Sequence, residues 1–154
     1  MKTAVMGVDP GTRGGVAVLD PEGAPIATFA FNPGLTVAET VDILRRAAAH
    51  LEHAGSKECF MEKVGYIRGD GGLGSFTFGR VAGIIEGALE VLGLTVHYTY
   101  PAIWQSALEC LTGGQKNVSK LKAIEIFPSV KVTHAIADAL LIAEFGRRRL
   151  NQAV

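Results

Sequence analysis

Three acidic residues stand where acids are costly. Asp9 closes the apolar run Ala4-Val5-Met6-Gly7-Val8, Glu62 lies within Cys59-Phe60-Met61-Glu62-Lys63-Val64, and Asp138 sits inside the Ala-rich segment His134-Ala-Ile-Ala-Asp138-Ala-Leu. A carboxylate taken out of water usually finds a partner, loses its charge or binds a metal. Converging carboxylates supply hard oxygen ligands, the donor set of Mg²⁺ or Mn²⁺. Each acid also has an ordinary reading. Asp9-Pro-Gly-Thr is a turn signal. Glu62 alternates with Phe60 and Val64 along a strand whose faces are both partly apolar, which suits an exposed edge position. His134 and Asp138 are four residues apart and share a helix face, as a simple side-chain pair or a helix-start acid would. It is the set of them that points to a cation site.

The elements that must position these residues are legible in the patterning. Residues 3–9, 14–20 and 26–31 read as three strands in a meander, with Pro21 to Gly23 as a turn short enough for an antiparallel hairpin. Thr36 and Glu39 have capping-box spacing, and Val37, Val41, Leu44, Ala48 and Leu51 recur on one helical face up to Gly55. A fourth strand is predicted over 58–64, then a Gly-rich loop from Gly65 to Gly74, and a helix from Phe76 to Leu92 with Gly93 in the C-cap role. Residues 94–100 are strand-like. Pro101 opens a helix over Ile103, Trp104, Leu108 and Leu111, a short helix ends near Phe127-Pro128, and a final helix runs from His134 to Leu150 with Ile136, Leu140, Leu141 and Phe145 as its buried stripe. Phe76 and Trp104 are expected in the core.

At 154 residues and 48% hydrophobic, the chain suits a single domain, 1–154, with a sizeable core. Its 15 basic and 15 acidic residues cancel, so net charge gives no general pull toward nucleic acid or membrane. The cations are unevenly placed, however: Lys116, Lys120 and Lys122 share one segment, and Arg147, Arg148 and Arg149 another. The arginines suit a helix C-terminus. Cys59 and Cys110 lack metal-ligand spacing or a disulfide framework and read as reduced, semi-buried thiols. No apolar stretch is long enough to span a bilayer, so a cytoplasmic location without membrane association is expected.

Gly7-Val8-Asp9-Pro10-Gly11-Thr12, Met61-Glu62-Lys63-Val64 and Ala137-Asp138-Ala139-Leu140-Leu141 occur in the order and spacing of RuvC-type Holliday junction resolvases, and the chain especially resembles their bacteriophage-encoded relatives. The similarity extends to Phe78-Gly79-Arg80 through Gly83, to Pro101 through Trp104 and to Lys116 through Pro128. The element order agrees: three strands, then alternating helices and strands, is the α/β order of ribonuclease H-like folds, a five-stranded mixed sheet with helices on both faces. In such folds the first strand lies parallel to the fourth, and their carboxyl ends meet.

The resemblance implies an endonuclease that resolves four-way DNA junctions by phosphodiester hydrolysis with two Mg²⁺ ions, Mn²⁺ substituting, and leaves 5′-phosphates. Asp9, Glu62 and Asp138 would hold the ions and His134 would fill the fourth metal-site position. In bacterial members that residue stands three places before the final Asp; here Ala135 occupies that place and His134 stands four before, as a direct ligand or a residue orienting water. Lys116 matches a lysine that assists the chemistry. Tyr66, Arg68, Arg80, Lys116, Lys120 and Lys122 are the expected DNA contacts. Bacterial relatives carry an aromatic wedge where this chain has Gly65, leaving Tyr66 or Phe76 to stack on bases. Paired cuts imply a homodimer.

Three other readings compete. Asp9 through Gly15 also resembles the phosphate loop of the actin, sugar-kinase and heat-shock-protein group, whose members bind ATP between two such domains. Another ribonuclease H-like nuclease would cut hybrids or flaps. A non-catalytic junction-binding module would share the fold without the chemistry.

Overall fold

The computed structural model describes residues 3–53, 55, 57–63, 65, 69 and 71–152. In it the apolar N-terminal runs become β1 (Val5–Asp9), β2 (Gly15–Leu19) and β3 (Pro25–Ala30). They are followed by α1 (Val37–Ala49), β4 (Glu58–Glu62), α2 (Gly72–Val91), β5 (Thr95–Thr99), α3 (Pro101–Ala107), α4 (Lys116–Ile126) and α5 (His134–Gln152). The strands form one five-stranded sheet in the order β3-β2-β1-β4-β5. β2 pairs antiparallel with β1 and β3, whereas β4 pairs parallel with β1 and β5. The sheet is mixed and covered by helices on both faces, as expected.

Successive strand residues point to opposite faces, so each central strand feeds two cores. Val5, Ala17, Leu19 and Phe60 pack with Trp104, Leu108, Phe127, Leu140 and Leu141 of the α3–α5 layer. Met6, Val8, Val16, Val18, Cys59 and Met61 pack with Leu44, Leu51, Ile85 and Leu89 of the α1–α2 layer. Burial on both sides is why the strands read as continuous apolar runs rather than alternating ones. The Thr36 capping box forms: Glu39 N–H donates to Thr36 Oγ1 at 3.1 Å, and Thr36 N–H donates to Glu39 Oε2 at 2.7 Å.

Gly7 sets the seat of α5. A Cβ there would stand 2.3 Å from the Ala139 carbonyl oxygen and 2.4 Å from the Ala143 nitrogen, so only glycine lets the helix backbone lie this close to β1. The close seat also corrects the expected single stripe on α5. Residues 136–146 are buried on all sides except Asp138, because the helix is sandwiched between the sheet and its neighbouring helices.

Four other expectations change. α2 starts at Gly72, inside the predicted loop, so Gly72 and Gly74 are helical despite their low propensity. Phe76 is 67% exposed rather than core, because it lies on the solvent side of the first turns of α2. Leu111 falls beyond the end of α3 and is exposed. Both cysteines are fully buried and free. Among the described residues, no helix is long and apolar enough to cross a membrane.

Candidate active site

Parallel pairing of β1 with β4 runs through Val8↔Met61, one residue short of both Asp9 and Glu62, so the two acids emerge side by side at the carboxyl end of the sheet. α5 delivers the third. His134 opens the helix and Asp138 follows one turn later, over the same end of β1. Asp9, Glu62, His134 and Asp138 line one cleft of about 540 Å³ together with Lys116 and Ser119 of α4, the Gly11–Gly14 loop and Phe78. Residues 125 positions apart in sequence thus meet at one place.

Local structure fixes each acid. The Gly11 N–H donates to Asp9 Oδ1 at 3.3 Å, and Gly14 N–H closes the loop on Gly11 O at 2.9 Å. Glu62 Oε2 accepts a hydrogen bond from Trp104 Nε1 at 2.9 Å. The Ser119 hydroxyl donates to the Lys116 carbonyl oxygen at 3.2 Å and lines the cleft beside Asp138, whose pKa it lowers.

The electrostatics are those of a site short of positive charge. Burial pushes Asp9 up to about 7, and the Asp138 and Glu62 carboxylates add to the rise against the opposing Gly11 N–H and Lys116. Glu62 is raised by burial, with the Trp104 N–H opposing and Asp138 adding. Asp138 is raised by burial against Ser119, Lys116 and His134. Carboxylates held in this way gain from any cation that enters. The side chains themselves do not form a closed cage: among the described residues, no group of three or more His, Cys, Asp or Glu makes a ready-made metal site.

The expected DNA contacts divide. Lys116 faces the cleft, and Lys120 is one turn further along the same side of α4. Lys122 points elsewhere, 3.5 Å from Glu125 beside a separate pocket with Glu109 and Cys110. Arg80 is exposed on α2 but does not line the cleft. Tyr66 and Arg68 lie outside the described residues. Arg147 and Arg148 both bond the buried Glu144, and Arg149 lies over the Phe145 ring, so the arginine run has internal partners.

Trp104 and Ser119 are site residues that the sequence reading missed. Trp104 is fully buried as expected, yet its one polar atom reaches Glu62. The available signal was general: a buried indole N–H needs an acceptor. Ser119 lay within the Lys116-to-Pro128 similarity but carried no pattern of its own.

No known family's sequence profile and no curated protein sequence matches the chain. Solved structures do match. Thermus thermophilus RuvC in complex with a Holliday junction substrate superposes with a TM-score of 0.66 at 20% identity, over 96% of each chain. A second structure of Thermus thermophilus RuvC gives 0.65 at 20% identity, over 97% of this chain and 96% of the other. The yeast mitochondrial Holliday junction resolvase Ydc2 gives 0.57 at 15% identity, over 98% of this chain and 80% of that one. The protein therefore has the ribonuclease H-like fold of the RuvC-type resolvases, nearly from end to end.

Proposed function

We propose that this chain is a structure-selective endonuclease that resolves four-way DNA junctions by metal-dependent phosphodiester hydrolysis. The observation that carries this reading is the convergence of Asp9, Glu62 and Asp138 in one cleft, each with its pKa raised. A non-catalytic scaffold gains nothing from three mutually repelling carboxylates. The fold shared with resolvases of both bacterial and mitochondrial origin supports four-way junctions as the substrate class.

The donor set fits hard divalent cations: three carboxylates and one imidazole, arranged without enough neighbouring positive charge to balance them. Asp9, Glu62 and Asp138, with His134 as ligand or water-orienting residue, would hold two Mg²⁺ ions, Mn²⁺ being able to substitute. Bound there, such ions supply activation of a water and stabilisation of the departing 3′ oxygen, giving 5′-phosphate ends. The protein's own contribution is position and charge. The Gly11 N–H aims the Asp9 carboxylate, Ser119 and Lys116 favour the charged form of Asp138, and Lys116 offsets negative charge growing on the phosphorane. Lys120 extends the cationic side of α4 toward the DNA backbone. Paired cuts call for a homodimer, one cleft per strand.

The test is Mg²⁺-dependent nicking of a synthetic four-way junction beside linear duplex, flap and hybrid controls. Cleavage confined to the junction supports the reading. Preference for flaps or hybrids would move the protein to another nuclease type of the same fold.

A further inference from the structure

Glu62 is the hardest of the acids to aim. It has three rotatable side-chain bonds, it stands at the last residue of β4, and freezing it costs rotamer entropy. Its register partner on β5 is Thr99, whose side chain lies on the same sheet face. Thr99 does not hold it: the Thr99 hydroxyl is buried with no hydrogen-bond partner among the described residues. The donor comes instead from Trp104, at 2.9 Å.

The fold brings that indole to the site. β5 runs parallel beside β4, so the chain leaves β5 at the same end of the sheet as Glu62 and turns at once into α3, with Pro101 at the helix start. Lys63 N–H donates to Thr99 O at 2.7 Å and locks the two strand ends together. Trp104 is fully buried among Leu108, Phe127 and Leu140, and a ring with two torsions packed in this way has little freedom. A rigid donor thus grips one oxygen of a flexible carboxylate.

We propose that Trp104 is a positioning residue for Glu62. It ties Oε2 to the core, so that Oε1 is the oxygen presented to a cation in the cleft. This rests on the nuclease reading above. Residues that orient ligands in this way typically contribute about 10- to 100-fold in metal affinity or activity. Trp104 is also the only tryptophan in the chain, so its emission reports on the occupancy of this corner of the cleft.

The test uses that uniqueness. Biosynthetic replacement of tryptophan by β-(3-benzothienyl)alanine changes only residue 104, keeps the ring's shape and deletes the N–H donor. Expected are an unchanged melting profile and junction affinity, Mn²⁺ affinity by calorimetry weaker by about tenfold or more, and slower cleavage partly restored by excess Mn²⁺. In the Glu62→Gln background the same replacement should have no further effect on Mn²⁺ binding. Unchanged Mn²⁺ affinity in the replaced protein, with Glu62→Gln inactive, overturns the tether and leaves the nuclease site standing. Full cleavage by Glu62→Gln instead overturns the nuclease site as drawn. If the replaced protein does not fold, the natural protein decides: Mn²⁺ should quench Trp104 emission saturably in wild type and not in Asp9→Asn, and an absence of quenching at calorimetric saturation overturns the proposal.

Discussion

Gly14 keeps open the space that the Asp9 carboxylate occupies: a Cβ at residue 14 would stand 2.3 Å from the Asp9 carbonyl oxygen, 2.7 Å from its Cγ and 2.9 Å from its Oδ2. Two of those atoms belong to the side chain, but the closest belongs to the backbone at the end of β1 and cannot swing away. Gly14→Ala should therefore shift Asp9, lowering stability by roughly 1–3 kcal/mol and cleavage by about tenfold or more, equivalent to ~1.4 kcal/mol of barrier. Gly11→Ala is the matched control. Its Cβ would meet Asp9 Oδ1 at an ordinary 3.6 Å, so stability should change by about 0.5 kcal/mol or less. Equal losses at the two positions would refute the steric explanation.

The raised Asp9 pKa makes the metal-free protein lose stability as pH rises from mildly acidic to neutral. Folded Asp9 keeps its proton to about pH 7, whereas the unfolded chain releases it near the ordinary value of 3.8. Between those values the folded state binds more protons, so this contribution to stability is complete below the lower value and is lost as pH rises to the upper one. In chelator, the stability of wild type relative to Asp9→Asn should fall from pH 4 to pH 7 and then level. Saturating Mg²⁺ should reverse the fall in wild type, since it binds the folded site. A flat difference across that interval, measured by denaturant midpoints, would contradict the electrostatics.

Glu144 should matter for folding and not for cutting. It is almost fully buried on α5, and its carboxylate accepts hydrogen bonds from Arg147 Nε at 2.7 Å, Arg147 Nη2 at 2.9 Å and Arg148 Nε at 2.7 Å. Burial alone would raise its pKa, but the two guanidinium groups outweigh burial and hold it below the usual range. Glu144→Gln removes the carboxylate that both guanidinium groups bond and should cost about 1–3 kcal/mol, since Arg148 is half exposed and Arg147 keeps Asp20 and Glu22 nearby. The denaturation midpoint should drop, while cleavage per folded molecule stays at the wild-type rate. Loss of cleavage without loss of stability would assign the arginine run to DNA instead.

The lysines of α4 should separate by face. Lys116→Ala should slow cleavage at saturating junction. Lys120→Ala should weaken junction binding and reduce the log-log salt slope by about 0.9. Lys122→Ala should leave the slope unchanged, because that side chain sits by Glu125, away from the cleft. Identical slopes for the Lys120 and Lys122 variants, both lower than wild type, would contradict this division.

Most of the sheet and the three acids were legible in the sequence because they obey local rules. Apolar runs marked the strands, Thr36 and Glu39 marked the start of α1, and each acid stood out against an apolar background. The residues that aim the acids were not legible, since their roles are tertiary. Trp104 looks like any core aromatic until β5 is known to run beside β4. Ser119 looks like any helix-surface serine until α4 is packed against α5, and the need for Gly14 depends on how closely its loop folds back on the end of β1. Phe76 misled for the opposite reason: an aromatic at a helix start resembles core, yet the first turns of α2 are largely exposed.

The central claim is that Asp9, Glu62 and Asp138 form one cation-dependent hydrolytic centre directed at branched DNA. The direct test is single-turnover cleavage of a four-way junction in Mg²⁺ by wild type, Asp9→Asn, Glu62→Gln and Asp138→Asn, with junction binding measured in parallel without the metal. Wild type should cut the junction, leave 5′-phosphates and spare linear duplex. Each variant should bind the junction yet cut at least about tenfold more slowly, ~1.4 kcal/mol of barrier or more. A folded variant that cuts at the wild-type rate would remove its residue from the centre, and wild-type protein that binds junctions but cuts none of them in Mg²⁺ or Mn²⁺ would contradict the claim as a whole.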